Sequence, residues 1–326
     1  MIISIDSGSS YLKAFVPDKE PFLCETVIYE MPPTKALRTN NAIEIDGKKY
    51  LVGSEAWRSR NEFRASPETG RDFHGGFTQH VQLCYAFQKL GVEGKHEKLL
   101  MSLPYSDCTD EEINARVKSK KEFKWNNKIV TFEEVIIYPQ GTGAFTYYTK
   151  HFNDSPKKIA IVDIGSCTVD LVVVIRDRDG NYVYNIDSTQ SFRNLAVSDF
   201  MNMFTVALKQ QSGLQEREFD YFELSESIKE KDFLMTHESF APIDVTKIFN
   251  ETRDRYTNDI YNMLQKETKN LWHSLDKVIL CSGGANLINM DKWKCAGRTM
   301  QLDEFANVLG QYYDAVVSEE INNGKK

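Results

Sequence analysis

The sequence predicts an α/β protein built from two related units with a cleft between them. Three observations predict it. A strand–turn–strand with a small-residue turn opens the chain, between Met1–Ile5 and Tyr11–Val16. The same pattern returns after the break at Asn153-Asp154-Ser155-Pro156, between Lys158–Val162 and Val169–Ile175. Late in the chain a buried strand, Val278–Cys281, runs into Ser282-Gly283-Gly284. Each half thus starts as strand, turn, strand, hairpin, which is how paired layers around a ligand cleft are made. The boundary is expected near residue 157, giving units 1–157 and 158–326, with the last helix packing back on the first unit.

In the first unit, Asp46-Gly47 marks a hairpin between Ala42–Ile45 and Lys49–Val52. A helix follows Gly75-Gly76, with Phe77, Val81, Cys84 and Tyr85 on one face, and stops at Gly91. Leu99–Leu103 and Val135–Tyr138 read as buried strands ended by Pro104 and Pro139, and a helix spans about 141–150. In the second unit, Asp179-Gly180 turns the chain into Tyr182–Ile186. Val197, Phe200, Met201, Phe204 and Leu208 recur at helical spacing, with Gly213 beyond them. Tyr256, Ile260, Met263 and Leu264 share a stripe of a long helix, and Phe305, Val308, Leu309 and Tyr312 mark the final one. The polar end, Asn322 to Lys326, is expected to fray.

Composition narrows the function. The 326 residues are 41% hydrophobic and 27% charged, with net charge −7, ordinary for a globular protein with a sizeable core. The acidic balance argues against nucleic acid as a direct partner. No basic leader precedes the first strand and no apolar run reaches the ~20 residues of a membrane helix. The six cysteines are scattered and the six histidines lack metal-ligand spacing, so a reduced, cytoplasmic chain is expected. Gly94-Lys95 imitates the end of a Walker loop, but Lys89 and His96 stand where that motif needs Gly and Ser or Thr.

Four segments carry the chemistry. In Asp6-Ser7-Gly8-Ser9-Ser10-Tyr11-Leu12-Lys13, Gly8 permits a tight turn whose N–H groups can face an anion. Ser9 and Ser10 add hydroxyls, Lys13 supplies a positive charge for a β- or γ-phosphate, and Asp6 suits a hydrated Mg2+. Asp163-Ile164-Gly165-Ser166-Cys167-Thr168-Val169-Asp170 repeats that pattern. Either loop alone reads equally as a polar hairpin turn; finding both makes a two-sided clamp on one triphosphate the better reading. Gly283-Gly284-Ala285-Asn286 lets a flat ring approach backbone, unless the glycines serve only a turn with positive φ. Gln140, between Tyr138-Pro139 and Gly141-Thr142-Gly143-Ala144, offers an amide that could orient a water for in-line attack on a γ-phosphate.

In order, these segments resemble phosphate 1, connect 1, phosphate 2 and the adenosine loop of the actin, DnaK-type chaperone and sugar-kinase superfamily. Ala306-Asn307-Val308-Leu309-Gly310 looks like the second connecting helix, where small residues allow close packing of the domains. The starts Ile5–Lys13 and Gly47–Ala56, with Gly283–Ile288, are most similar to the ParM group of bacterial actin-like proteins. That resemblance implies an actin-like ATPase fold with ATP and Mg2+ as cofactors, Mg2+ held through water by Asp6 and Asp163. It implies catalytic roles for Gln140, Asp163 and Asp6. Nucleotide contacts would come from Gly8, Ser9, Ser10, Lys13, Gly165, Ser166, Cys167, Thr168, Gly283, Gly284, Ala285 and Asn286. Lys229 and Glu230, in a stretch similar to actin's ribose-contact helix, would join them; a solvated charged face is the plain alternative. Two departures stand out. The group has a glycine before the helix near Val197, where this chain has Arg193-Asn194-Leu195-Ala196. Gln140 stands where ParM-like relatives often carry a carboxylate.

The resemblance further implies an ATP-dependent filament that segregates plasmid or other DNA through a separate adaptor of the ParR type, with no direct contact to nucleic acid or membrane. A non-polymerising ATPase or a small-molecule kinase on the same fold is the alternative. Nothing in the residues selects ATP over GTP.

Overall fold

In a computed structural model that describes residues 1–32, 41–59, 72–211, 213–237 and 240–324, the chain divides into two units. Unit 1 holds Met1–Ser155, Thr189–Ser191 and Leu302–Lys326; unit 2 holds Pro156–Ser188 and Phe192–Gln301.

Unit 1 is built on one six-stranded sheet. β1 (Ile2–Ser7) and β2 (Tyr11–Phe15) form the opening hairpin, and β3 (Phe22–Glu25) extends it. β4 (Ile28–Glu30), β5 (Ile43–Ile45) and β6 (Lys48–Val52) make a separate three-stranded sheet leading to α1 (Ser54–Arg58). α2 (Phe77–Leu90) follows, then β7 (Gly94–Leu103), α3 (Tyr105–Cys108), α4 (Glu111–Lys118), β8 (Glu122–Trp125), β9 (Lys128–Pro139) and α5 (Thr142–His151). The main sheet runs β3-β2-β1-β7-β9-β8, with β1, β7 and β9 parallel.

Unit 2 repeats the plan. β10 (Lys158–Ile164) and β11 (Val169–Arg176) form the hairpin and β12 (Tyr182–Tyr184) extends it. β13 (Gln190–Phe192) straddles the division of the chain. α6 (Val197–Lys209), α7 (Tyr221–Glu230), the hairpin β14 (Leu234–His237) and β15 (Phe240–Asp244), α8 (Thr246–Thr268), α9 (Asn270–His273), β16 (Lys277–Cys281) and β17 (Thr299–Gln301) complete it. The sheet order β12-β11-β10-β16-β17, with β10 parallel to β16, matches β3-β2-β1-β7-β9. The final helix, α10 (Ala306–Gly324), belongs to unit 1.

Each unit buries its own core. Phe87 meets Phe123, Trp125 and Phe132 in unit 1. Phe200, Phe204, Phe249 and Tyr256 interlock in unit 2, where Trp272, Trp293 and Tyr261 form a second aromatic group. Such rings supply large buried areas and favourable edge-to-face contacts.

Several sequence expectations change. Phe77, expected on the buried face of α2, is exposed and meets Tyr50 edge-on, while the polar Thr78, Gln79 and Gln82 are buried. A helix covered on most sides does not sort its residues by one stripe. Phe305 precedes α10 rather than lying in it, and α10 continues to Gly324, into the segment expected to fray; Lys325 and Lys326 lie outside the described residues. The β8–β9 hairpin went unread because its turn has no glycine: Asn126 and Asn127 take the positive φ values themselves, 48° and 61°, as asparagine can in such turns. α4 and α7 are opened by Asp110 and Asp220, whose carboxylates accept the N–H groups two and three residues on.

The expected close packing by Gly310 occurs inside unit 1, between α10 and α5. A Cβ on Gly310 would lie 1.7 Å from the Gly143 carbonyl oxygen, and one on Gly143 would lie 2.2 Å from that of Asn307. Asn307 also caps α5, its Oδ1 accepting the N–H groups of Gly141 and Ala144 at 3.1 Å each. Buried Gln311 ties α10 to the sheet, accepting from Ser4 Oγ at 3.1 Å and donating to Ser102 Oγ. Among the described residues no helix is long and apolar enough to cross a membrane.

Gly310→Ala therefore has no room and is expected to lower stability by about 3 kcal/mol, the upper range for overpacking. Gly297→Ala, where an added Cβ meets nothing within 4 Å, should change stability by less than about 0.5 kcal/mol. Urea unfolding of both variants checks the contrast.

Candidate functional site

The unit 1 site lies at the carboxyl ends of parallel strands, the usual ligand end of such sheets. β1 ends at Asp6-Ser7, β7 carries Ser102 beside Asp6, and β9 delivers Gln140, whose N–H donates to the Leu103 carbonyl at 2.8 Å. Asp6 is buried and stands opposite Lys13 in the β1–β2 ladder. Lys13 Nζ lies 3.1 Å from Asp6 Oδ2 and Gln140 Nε2 donates to Asp6 Oδ1 at 3.3 Å. One carboxylate therefore anchors both the cation and the amide proposed from the sequence. With its N–H2 side fixed on Asp6, Gln140 has its Oε1 left to accept a hydrogen bond.

The loop itself is held from behind. Gly8 N–H closes the turn on the Tyr11 carbonyl at 3.0 Å, and a Cβ at Gly8 would sit 2.9 Å from that oxygen. Gly8 thus contributes space, not an N–H for an anion. Thr26 then pulls two loop carbonyls toward β3: its Oγ1 donates to Gly8 O and its N–H to Ser10 O, both at 2.8 Å. Because a trans peptide points C=O and N–H in opposite directions, the Ser9 N–H is turned away from Thr26.

Unit 2 builds the same turn. Gly165 N–H donates to Thr168 O at 2.8 Å, and a Cβ on Gly165 would lie 3.1 Å from that oxygen. Here the start of α6 does what Thr26 does in unit 1. Val197 N–H donates to Gly165 O and Ser198 N–H to Ser166 O, both at 3.0 Å. The N–H groups of Ser166 and Cys167 are consequently aimed away from α6, forming the kind of concave backbone donor set that suits an anion. Asp163 is buried, Cys167 is exposed, and Thr168 donates its hydroxyl to buried Asp170 at 2.8 Å. Thr168 can therefore face a phosphate only as an acceptor.

The two glycines of the third segment do different jobs. A Cβ at Gly284 would lie 2.4 Å from Ile164 Cγ2 and 2.8 Å from Val197 Cγ2, so this glycine lets the turn press against the end of β10 and the start of α6. Gly283 is exposed with nothing within 4 Å of an added Cβ, and Asn286 is exposed beside buried Ala285. Neither glycine has positive φ. The left-handed residue is the buried Ser282, at φ 68° and ψ 176°, a conformation that favours glycine. The strain resembles that of Leu195, at φ 61°, within the stretch where the resemblance led one to expect a glycine.

Asp163, Gly165, Ser166, Cys167, Thr168, Gly283, Gly284 and Ala285 thus belong to adjoining segments of unit 2, while Asp6, Gly8, Ser9, Ser10, Lys13 and Gln140 cluster in unit 1. Lys229 and Glu230 are exposed in the last turn of α7, which ends at left-handed Lys231; none of the bonds joining the other segments involves them. Sequence reasoning missed Thr26, Asp170, Leu195 and Ser282. Asp170 was legible, standing opposite Asp163 in the ladder as Lys13 stands opposite Asp6.

Among the described residues no cluster of three or more His, Cys, Asp or Glu could hold a metal ion directly. The buried carboxylates of Asp6 and Asp163 would each suit a hydrated cation such as Mg2+, which keeps most of its water and takes other ligands from phosphate.

Lys13→Met strands the buried Asp6 carboxylate and is expected to cost about 3 kcal/mol of stability. Adding Asp6→Asn should recover most of it. Thermal unfolding without nucleotide checks this, and a double variant no more stable than Lys13→Met alone would show that the pair is not the cause.

Two family models match the chain in succession: "Actin like proteins N terminal domain" over residues 4–143 and "Archaeal actin homologue MreB-like, C-terminal" over residues 161–291. A search of curated proteins gives no match. Among solved structures, the chain is similar to a non-polymerisable quadruple mutant of pCBH ParM, with TM-score 0.76, 17% identity, and coverage of 96% of this chain and 98% of that one. The archaeal actin homologue Ta0583 superposes with TM-score 0.77 at 17% identity over 96% and 98% of the two chains. The ParM of a 15-stranded filament from Clostridium botulinum does so with TM-score 0.76 at 18% identity over 95% and 97%. With its first half matched by the N-terminal actin-like model, its second half by the MreB-like one, and the whole chain superposing on ParM structures, the chain is an actin-like protein with the ParM-like fold.

Proposed function

We propose that the protein binds ATP with Mg2+ and hydrolyses it, and that nucleotide drives its assembly into filaments. The observation that carries this reading is the duplicated turn. In each unit a buried aspartate ends a central strand, a glycine closes the following turn, and loop carbonyls are tied back so that N–H groups face the other way. A single such turn is a hairpin; the same device at the head of both units suits a ligand carrying several phosphates. Ta0583 has been solved in complex with ADP on this fold.

Within that reading the chain's own residues have distinct tasks. Lys13 offsets charge on phosphate oxygens, together with the loop N–H groups. Gln140, anchored on Asp6, accepts a hydrogen bond from the attacking water and orients it, while Asp163 orders that water from the second loop. Bound Mg2+ would neutralise phosphate charge, with Asp6 and Asp163 holding its water shell. Gly283, Ala285 and Asn286 would border the base, and Lys229 and Glu230 the ribose.

Filament assembly rests on likeness to ParM, some of whose solved structures are filaments. Identical subunits joined head to tail without closing form an open polymer. A role in segregating plasmid or other DNA would then need a separate basic adaptor of the ParR type, since the net charge of −7 disfavours direct binding to DNA. The protein would work in the cytoplasm. A non-polymerising ATPase or small-molecule kinase is the competing reading.

Light scattering after adding Mg-ATP to the pure protein separates these readings. Filaments should raise scattering at once, above a critical concentration; turnover without scattering would remove the filament. At a free Mg-ATP concentration of 100 Kd, stability should rise by about 2.7 kcal/mol, and Asp6→Ala and Asp163→Ala should lose that gain. An unchanged melting temperature in the wild type sinks the nucleotide reading. Gln140→Ala should bind ATP yet hydrolyse it about 100-fold more slowly, with longer-lived polymers; normal turnover there takes Gln140 out of the mechanism.

A further inference from the structure

One turn of α8 grips both loops that border the Gly283-Gly284 turn. Arg253 donates from Nε to the Leu287 carbonyl at 3.1 Å and from Nη2 to that of Ile288 at 2.9 Å. Asp254 Oδ1 accepts from Asn289 Nδ2, and Thr257 Oγ1 accepts the Asn289 N–H at 2.9 Å. The Tyr256 hydroxyl donates to the Leu195 carbonyl at 2.8 Å. Positions 253, 256 and 257 share a helix face. Arg255, between them, turns its largely exposed side chain toward Asp259. From β17, Gln301 Nε2 adds a bond to the Ala285 carbonyl at 2.7 Å.

Each gripped region also carries a strained residue. Leu195 and Ser282 both hold positive φ without being glycine, a state that persists only where neighbours over-determine it. Tyr256 is suited to that task, because burial pushes its hydroxyl pKa up and keeps it a donor. The grip leaves Gly283 and Asn286 exposed. Its bonds reach the carbonyls of residues 285, 287 and 288 and the backbone N–H of residue 289, and none of them involves Gly283 or Asn286.

We propose that the side chains of Arg253, Asp254, Tyr256 and Thr257, with Gln301, are the positioning element of the nucleotide site. It holds the loops at 195–197 and 283–289 in their binding shape and thereby sets nucleotide affinity, while the hydrolytic groups lie elsewhere. The proposal rests on the nucleotide reading above. Its physical basis is that apparent affinity falls in proportion to the fraction of molecules whose loop is in the competent shape.

The test measures Kd for Mg-ADP by calorimetry, and KM and kcat for Mg-ATP, in the full chain. Arg253→Met removes two charge-assisted bonds and should raise Kd and KM about tenfold with kcat changed less than about twofold. Arg253→Lys should restore part of the affinity. Tyr256→Phe, which deletes one hydroxyl from an unchanged ring, and Gln301→Ala, at an exposed position that should leave folding intact, should each raise Kd by a smaller factor, about threefold. Arg255→Met should match the wild type. A merely structural role would lower melting temperature and the active fraction but leave the Kd of folded protein unchanged. Wild-type Kd in folded Tyr256→Phe and Gln301→Ala overturns the proposal, as does an equal shift in Arg255→Met. A wild-type protein that binds neither nucleotide overturns the nucleotide reading along with it, so the two failures are told apart.

Discussion

A trans peptide cannot turn its carbonyl one way without turning its N–H the other, and the candidate site depends on that constraint. The acceptors of each loop are spent on the protein's own donors: Thr26 in unit 1, and the N–H groups of Val197 and Ser198 in unit 2. The N–H groups that follow those bonded carbonyls therefore face the other way. This is how a chain of net charge −7 can offer a local site to an anion without a basic patch. Thr26 and α6 are unrelated elements, so the duplicated loops are alike in result and different in support.

Close approach of backbones is the second constraint, and it fixes where glycine must stand. Gly143, Gly284 and Gly310 each face backbone or side-chain atoms nearer than 3 Å to any added Cβ. Gly143 and Gly310 bring α10 onto α5 directly behind Gln140, and Asn307 fixes the first turn of α5 through two backbone N–H groups. Gln140 thus stands just before a helix whose first turn Asn307 fixes. Gly284 brings its turn against β10 and α6 in the same manner. By contrast, a Cβ added at Gly283 would meet nothing within 4 Å.

The sequence made legible most of what was local. The loops Asp6–Lys13 and Asp163–Asp170 and the Gly283-Gly284 turn are each written within eight residues. Thr26, Asn307, Arg253 and Gln301 were not, because their roles depend on partners 16 to 166 residues away and their residue types are ordinary for a surface. The strain at Ser282 and Leu195 was hidden for a related reason. Sequence reading assigns positive φ to glycine, and here glycine stands one position later or not at all. The departure at Arg193–Ala196 was visible as an anomaly, but its resolution needed Tyr256, buried in another helix, to hold the Leu195 carbonyl.

A duplicated turn need not repeat its chemistry, and the ladder partners show where the two diverge. Opposite Asp6 stands Lys13, so the first loop carries a carboxylate already balanced by a cation. Opposite Asp163 stands Asp170, so the second brings two buried carboxylates onto neighbouring strands, with Thr168 donating to one of them. The first loop thus carries its own cation, and the second sets two acidic groups side by side. On the nucleotide reading proposed above, Lys13 would meet phosphate from the first loop, and the carboxylates of the second would meet the water around Mg2+.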